Sequence, residues 1–340
     1  MSLVDRLLDV RDTVYLLGGL AYYGMRKKTP ERAYQSMVRM FTRTAGRSND
    51  LISRGVSALR PPAELPAHDG VLGTLTDEKR RTLTEHLDRD GFYIFDQRLP
   101  DAICDRLVEL ALRTPSVAQG AGENGDALLV YDRHAPRAVR YEMEPRVLVA
   151  DADVQALLAD WSLLTVAQDY LRAAPVFDIV TMWWHTAYRD QPDARAAQFF
   201  HFDMDRPRWL KFFFYLTDVG PDNGPHCFIR GTHRTGGIAR DLLARGYARL
   251  PDADVARHYE PGDHMRFVGK RGTIIAEDTR GLHKGQHVVT GDRLVFQLEL
   301  TNTLFGGALT VLPQAAPVDD TFRERLRAYP RVYSAFGTAC

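Results

Sequence analysis

Two imidazoles and one carboxylate gathered at a single point would hold a divalent transition metal, and this sequence contains the parts for such a site. His201-Phe202-Asp203 sets a histidine and an aspartate two residues apart. In an extended backbone, side chains at i and i+2 share a face, so both could reach one ion without distorting the chain. With 11 histidines in the chain the triplet alone carries little weight, because a surface histidine hydrogen-bonded to its neighbour would look the same. A second imidazole must come from a later segment. Asp278-Thr-Arg-Gly-Leu-His283 supplies it, directly after the buried-looking run 272–277. Two histidines and a carboxylate on one face leave coordination positions open, the arrangement that activates O2 at non-haem Fe(II).

Ten residues beyond His283 lies Arg293, at the head of the apolar run Leu294-Val-Phe-Gln-Leu298. A cation entering such a run is costly unless paired. The far carboxylate of a bound dicarboxylic acid is one partner, which the guanidinium fork suits bidentately. A salt bridge to Asp292 or Glu299 is the other. His185 follows Trp183-Trp184 and reads either as a pocket residue or as an ordinary strand histidine beside core tryptophans. His226 and His233 flank Cys227-Phe-Ile229, and His233 is expected to buttress its loop rather than bind metal. Arg206, Arg208 and Arg230 would greet an anionic substrate or, the preferred reading, be paired and partly solvated.

These residues need a scaffold that returns distant segments to one place. From Pro175 onward, short β-branched and aromatic runs (176–187, 198–203, 210–216, 226–229, 265–268, 273–277 and 294–303) alternate with turn clusters such as Pro221-Asp-Asn-Gly224. That pattern predicts a β-sandwich or barrel over 176–310, with one helical insert at 254–259. Residues 66–175 read as helix-rich support: helices at 76–89 and 101–114, a strand at 91–95 between them, and two more helical stretches within 153–173. Residues 1–65 read as a helical extension, with helical spacing over 36–57 and a stop at Pro61-Pro62. It would serve as a lid or a homodimer contact, and 311–340 as a tail. The class is mainly β with helical support, and 340 residues can bury a sizeable core.

Bulk properties narrow the setting. Lys+Arg and Asp+Glu both total 44, so no global charge draws the chain to nucleic acid. Three cysteines without a CxxC pair suit a reducing compartment. The N-terminus is too acidic and interrupted for a secretory signal, so a cytoplasmic location is expected. The apolar run 14–25 is about half the roughly 20 residues that span a bilayer, so no transmembrane segment is expected. It should dock on its own domain or a twin subunit; Arg26-Lys27-Lys28 leave a peripheral membrane contact as the alternative.

Taken in order, Gln198-Phe-Phe-His201-Phe-Asp203, Lys211-Phe-Phe-Phe-Tyr-Leu-Thr-Asp218, Asp222-Asn-Gly-Pro-His-Cys-Phe-Ile-Arg-Gly-Thr-His233-Arg234, His283 and Arg293 resemble the phytanoyl-CoA dioxygenase family. The likeness spans roughly residues 76–305, and Asp90-Gly-Phe-Tyr-Ile-Phe95 resembles the strand that opens these domains. It implies a double-stranded β-helix (jelly roll, cupin-like) core, with Fe(II), 2-oxoglutarate and O2. By position, His201, Asp203 and His283 match the iron ligands, Arg293 the 2-oxoglutarate anchor, and Phe213 an aromatic beside the co-substrate. The family spacing favours His283 over His287, which would share its strand face. Gly285 departs from the pattern, because relatives often carry there a serine that helps hold the co-substrate. The second anchor is therefore open among Thr181, Trp183, Lys211 and Gln297. Trp184, His185, Gln198, Arg206 and Arg280 are candidates for the substrate pocket.

The resemblance implies oxidation of an unactivated C–H bond of a small molecule, in natural-product, sugar or lipid tailoring, coupled to conversion of 2-oxoglutarate to succinate and CO2. Asp203 stands where halogenating relatives carry a small residue, which implies hydroxylation or another oxidation instead. Two other readings compete: a jelly roll that binds a ligand without catalysis, and a protein hydroxylase of the same superfamily.

Overall fold

The structure is a computed structural model that describes residues 3–122, 125–308, 312–313 and 319–337. Three helices come first: α1 (Leu3–Arg26), α2 (Glu31–Thr44) and α3 (Arg47–Leu59). The helical spacing over 36–57 is split in two, because Ala45 and Gly46 both turn left-handed, at φ 50° and 93°. Leu16 of α1 packs with Ala33, Met37 and Phe305, so the apolar run docks on its own chain. Buried Asp12 locks this contact by accepting from Arg39 at 2.8 Å and Arg43 at 3.0 Å. No helix among the described residues is long and apolar enough to cross a membrane.

The next layer holds α4 (Asp77–Asp90), β1 (Phe92–Arg98), α5 (Asp101–Arg113), β2 (Ser116–Gly122), β3 (Gly125–Leu129), β4 (Arg140–Glu142), α6 (Pro145–Val149), α7 (Ala152–Leu158) and α8 (Trp161–Leu171). Thr76 caps α4 by accepting from the Lys79 amide at 3.3 Å. Strands β2 to β4 were not expected. Ser116-Val-Ala-Gln-Gly-Ala-Gly122 is rich in small residues, and pairing with β3 and β4 rather than propensity makes it a strand.

Gly91 shows how tightly the first strand is joined to what precedes it. It ends α4 in the left-handed region at φ 89°, and its amide donates to Leu87 O at 3.0 Å. A Cβ there would lie 2.5 Å from His233 Nδ1 and 2.8 Å from Phe228. Gly91→Ala is expected to cost about 2 kcal/mol from the strained φ and the crowding together, read as a lower urea midpoint. A midpoint within error of the parent would contradict this.

From Val176 onward the chain is β5 (Val176–Thr186), β6 (Trp209–Tyr215), β7 (His226–Ile229), β8 (His264–Phe267), β9 (Thr273–Glu277), β10 (His283–Gly285) and β11 (Asp292–Thr301). An eight-stranded antiparallel sheet runs β1-β9-β6-β11-β5-β4-β2-β3, and a three-stranded one runs β10-β7-β8. Between them lie Phe92, Trp183, Phe213, Tyr215, Phe228 and Phe267. The opposite face of the large sheet carries the main core, including Leu83, Leu107, Leu163 and Phe212. This is a jelly roll with helical support. Two expectations need correction. Segment 198–203 is no regular strand, only isolated bridges of Phe200 to Leu250 and of His201 to His283. The C-terminal tail carries a helix, Asp320–Ala328, while 309–311, 314–318 and 338–340 fall outside the described residues.

Candidate metal centre

Alternation along the strands decides which side chains meet. Ile179, Thr181, Trp183 and His185 of β5 point between the sheets, as do Lys211 and Phe213 of β6 and Arg293 and Gln297 of β11. With His201, Asp203, His226 and His283 they line one cavity of about 360 Å³. Trp184 faces the other way and packs on Tyr131, with ring centroids 4.9 Å apart, so it leaves the set of pocket residues.

The two histidines are cross-strand partners. His201 N donates to His283 O at 3.0 Å and His283 N to His201 O at 2.9 Å, which puts their rings 4.2 Å apart. Each ring is also steered by its own turn: Nδ1 of His201 donates to Phe199 O at 2.9 Å, and Nδ1 of His283 to Gly281 O at 3.0 Å. That assignment leaves both Nε2 atoms as lone-pair donors, and it is the orientation metal-bound histidines ordinarily have. They approach Asp203 at 3.8 and 3.6 Å, and one ligand atom from each residue lies within 4.8 Å of the others. His287 does not join them. The chain leaves β10 after Gly285, and His287 turns to Gln198 Oε1 at 3.5 Å.

Charge at this point suits a cation. Burial would raise the Asp203 carboxyl, but Lys211 at 2.7 Å outweighs it and holds the group well below the ordinary range. Burial lowers His283 to about 4 and holds His201 well below its ordinary range. At neutral pH the site is thus one carboxylate and two neutral imidazoles, the protonation state that metal binding requires. Lys211 is kept ionised by Asp203 and by Glu299 at 3.4 Å, so it belongs to the support of the carboxylate.

Arg293 is the second unusual group. It is 1% exposed, its Nη1 donates to Gly224 O, and its Nη2 donates to His185 Nδ1 at 2.7 Å. Its Nε has no partner among the described residues, and neither of the acids named from sequence reaches it. Asp292 turns to Arg133 at 3.0 Å, and Glu299 to Lys211. Among the described residues no carboxylate lies within ion-pair distance of this buried guanidinium. Because His185 accepts at Nδ1, its proton sits on Nε2, and burial together with Arg293 holds the ring neutral. A Cβ on Gly285 would lie 3.2 Å from Arg293 Nη2 and 3.4 Å from His185 Cε1. His185 therefore fills part of the space a serine at 285 would occupy.

The remaining candidates divide. Phe213, Thr181, Trp183 and Gln297 line the cavity; Thr181 is spent on Glu142 at 3.0 Å, whereas buried Trp183 Nε1 has no partner among the described residues. Gln198 sits behind it, accepting from Asp193 N at 2.7 Å. Arg206 is held by Asp178 at 2.6 Å and Arg280 by Asp278 at 2.6 Å, so neither reaches this cavity. Arg208 and Arg230 pair with Asp88 and Asp90, and His233 Nε2 meets Asp88 O at 3.2 Å. Sequence reasoning missed His226 as a lining residue; its Nε2 lies 3.0 Å from Glu277 Oε1, and burial pulls the imidazole down to about 3 while pushing the carboxyl well above its ordinary range. It also missed Tyr247, whose hydroxyl is 3.4 Å from Asp203 Oδ1, and Arg249 nearby. Glu277 and Glu299 were detectable as carboxylates inside apolar runs.

The family model for phytanoyl-CoA dioxygenase (PhyH) matches residues 87–294, well over half of the chain. No curated protein gives a significant match. Among solved structures, AviO1 from Streptomyces viridochromogenes Tue57 is 19% identical, covering 67% of this chain and 96% of that one, at TM-score 0.44. Apo EctD from S. alaskensis is 18% identical over 71% and 83%, at TM-score 0.48. The epimerase SnoN in complex with Fe3+, alpha ketoglutarate and nogalamycin RO is 14% identical over 66% and 84%, at TM-score 0.46. The chain belongs to the phytanoyl-CoA dioxygenase family and is a non-haem Fe(II)- and 2-oxoglutarate-dependent enzyme.

Proposed function

We propose that His201, Asp203 and His283 hold Fe(II), that Arg293 anchors the far carboxylate of 2-oxoglutarate, and that the enzyme oxidises a C–H bond of a small molecule. The observation that carries this reading is Arg293: a buried guanidinium without a carboxylate, in the same cavity as the three ligand atoms. A dicarboxylic keto acid would satisfy it with its far carboxylate and would leave its keto-acid end for the metal held by His201, Asp203 and His283. Iron with 2-oxoglutarate and O2 supplies the oxidising power for an unactivated C–H bond. The chain's own residues do the positioning. Lys211 keeps Asp203 ionised, Phe199 and Gly281 carbonyls orient the imidazoles, and Phe213 and Trp183 exclude water beside the co-substrate.

His185 takes over from the serine that position 285 lacks, by accepting from Arg293 Nη2 and fixing the fork. Trp183 Nε1 is the free donor best suited as second anchor. On the substrate side, Arg249 has no carboxylate within ion-pair distance among the described residues, which favours a substrate bearing an anionic group. Anaerobic addition of Fe(II) and 2-oxoglutarate should give a visible metal-to-ligand charge-transfer band. Its absence at saturating concentrations would sink the reading. His185→Ala should retain that band but need roughly 10-fold more 2-oxoglutarate to reach half its intensity, the effect of losing one charge-assisted hydrogen bond. An unchanged half-saturation point would exclude His185 from the anchor.

A further inference from the structure

A second cavity, of about 310 Å³, shares no lining residue with the first. Five guanidiniums border it: Arg54 of α3, Arg172 after α8, Arg208 before β6, Arg234 after β7, and Arg280. Three carboxylates answer them. Arg280 takes Asp278 at 2.6 Å and Asp50 at 3.2 Å, while Asp88 is divided between Arg172 at 2.6 Å and Arg208 at 3.2 Å. Arg54 and Arg234 have no carboxylate within ion-pair distance among the described residues. His233 adds no charge at neutral pH, because burial pulls it down to about 4. Five cations against three anions leave two positive charges.

The inner part of this cluster is built in. The guanidinium carbon of Arg208 lies 4.2 Å from the Tyr170 ring centroid, its side chain is 12% exposed, and its buried Nε has no hydrogen-bond partner among the described residues. Arg280 is 3% exposed. Arg280 is met by Asp278 and Asp50, but a cation as deep as Arg208, with one donor unmet, a single shared carboxylate and like charges beside it, is costly to keep without a further anion. Planar guanidiniums around a concave site suit tetrahedral oxyanions. We propose that this cavity binds the phosphate group of a small molecule as a dianion, gripped by Arg54, Arg208 and Arg234. Because Arg54 belongs to the N-terminal helices while Arg208 and Arg280 precede β6 and β10, the bound anion would tie those helices to the barrel.

The test is calorimetric titration of inorganic phosphate into protein loaded anaerobically with Fe(II) and 2-oxoglutarate, beside metal-free protein. Saturable binding is expected in both, with a rise in Tm from mass action. Arg54 and Arg234 are exposed, so the double variant R54E/R234E should fold and keep the charge-transfer band while losing at least about 10-fold in phosphate affinity. No saturation by about 10 mM, or equal affinity in the double variant, would overturn the proposal. So would binding that occurs only with metal present or alters the band, since it would place the anion at the iron. A parallel titration with glycerol phosphate separates the sources: tighter binding than inorganic phosphate assigns the site to a phosphate ester, equal binding to the free ion. Metal-free protein reports on this cavity even if the reading of the metal centre fails.

Discussion

Replacing His283 with alanine is expected to abolish Fe(II)-dependent conversion of 2-oxoglutarate to succinate, a loss on the order of 1000-fold, because changes that merely disorient a metal ligand already cost 10–100-fold. The same replacement at His287 should leave turnover within about twofold of the parent, as expected for a side chain away from the chemistry. The two residues are four apart, and in a continuous strand both would face the cavity. They do not, because β10 spans only His283–Gly285 before the chain turns toward the Pro225 carbonyl, which accepts from the Gln286 amide at 2.9 Å. His283 has a cross-strand partner in His201 and a carbonyl that orients its ring; the His287 ring makes a long contact to Gln198. Succinate formation and Fe(II) titration should fail together in His283→Ala. If His283→Ala kept its iron and His287→Ala lost it, the ligand assignment would be wrong.

Much of this centre was legible because its residues obey local rules. The His201–Asp203 spacing, the later histidine and the cation heading an apolar strand could each be read from residue type and position. What brings them together is not local. His201 and Asp203 converge although 198–203 is no regular strand, since single bridges to His283 and a bond from Asp203 N to Thr279 O at 2.9 Å hold them. The pocket residues could have been sorted further by alternation alone: if Thr181 and Trp183 face inward, so does His185, and Trp184 cannot. Arg206 and Arg280 lie outside this cavity because partners out of view in the sequence hold them. Asp178 lies 28 residues from Arg206, and Asp278, two residues before Arg280, is buried by the fold with Tyr170. The β2–β3 hairpin was illegible for a different reason: Gly120, Gly122 and Gly125 give no strand propensity, and only neighbours supply the pairing.

Arg293→Met separates stability from function more sharply than any other substitution in the cavity. In the parent, the guanidinium is 1% exposed, one nitrogen is unsatisfied, and burial pulls its pKa down with no carboxylate to offset it. Keeping a cation there costs free energy in the ligand-free protein, of the size that makes hydrophobic replacement of buried charge neutral or stabilising by about 1–4 kcal/mol. Methionine fits the stem's volume, and the loss of two hydrogen bonds, to Gly224 O and to His185 Nδ1, returns about 1–2 kcal/mol of that gain. Ligand-free Arg293→Met should therefore unfold at the same or a higher temperature than the parent. With 2-oxoglutarate the order should reverse. The parent gains stability as the co-substrate's carboxylate pairs with the guanidinium, by an amount that grows with concentration over Kd. The variant should gain almost nothing, having lost the 2–5 kcal/mol that a buried charge pair contributes to affinity when one partner is truncated, roughly 30-fold or more in Kd. Paired thermal scans with and without 2-oxoglutarate read both halves. A variant that is clearly less stable without ligand, yet still stabilised by 2-oxoglutarate as much as the parent, would mean that Arg293 is a structural strand residue and that the co-substrate's far carboxylate is bound elsewhere.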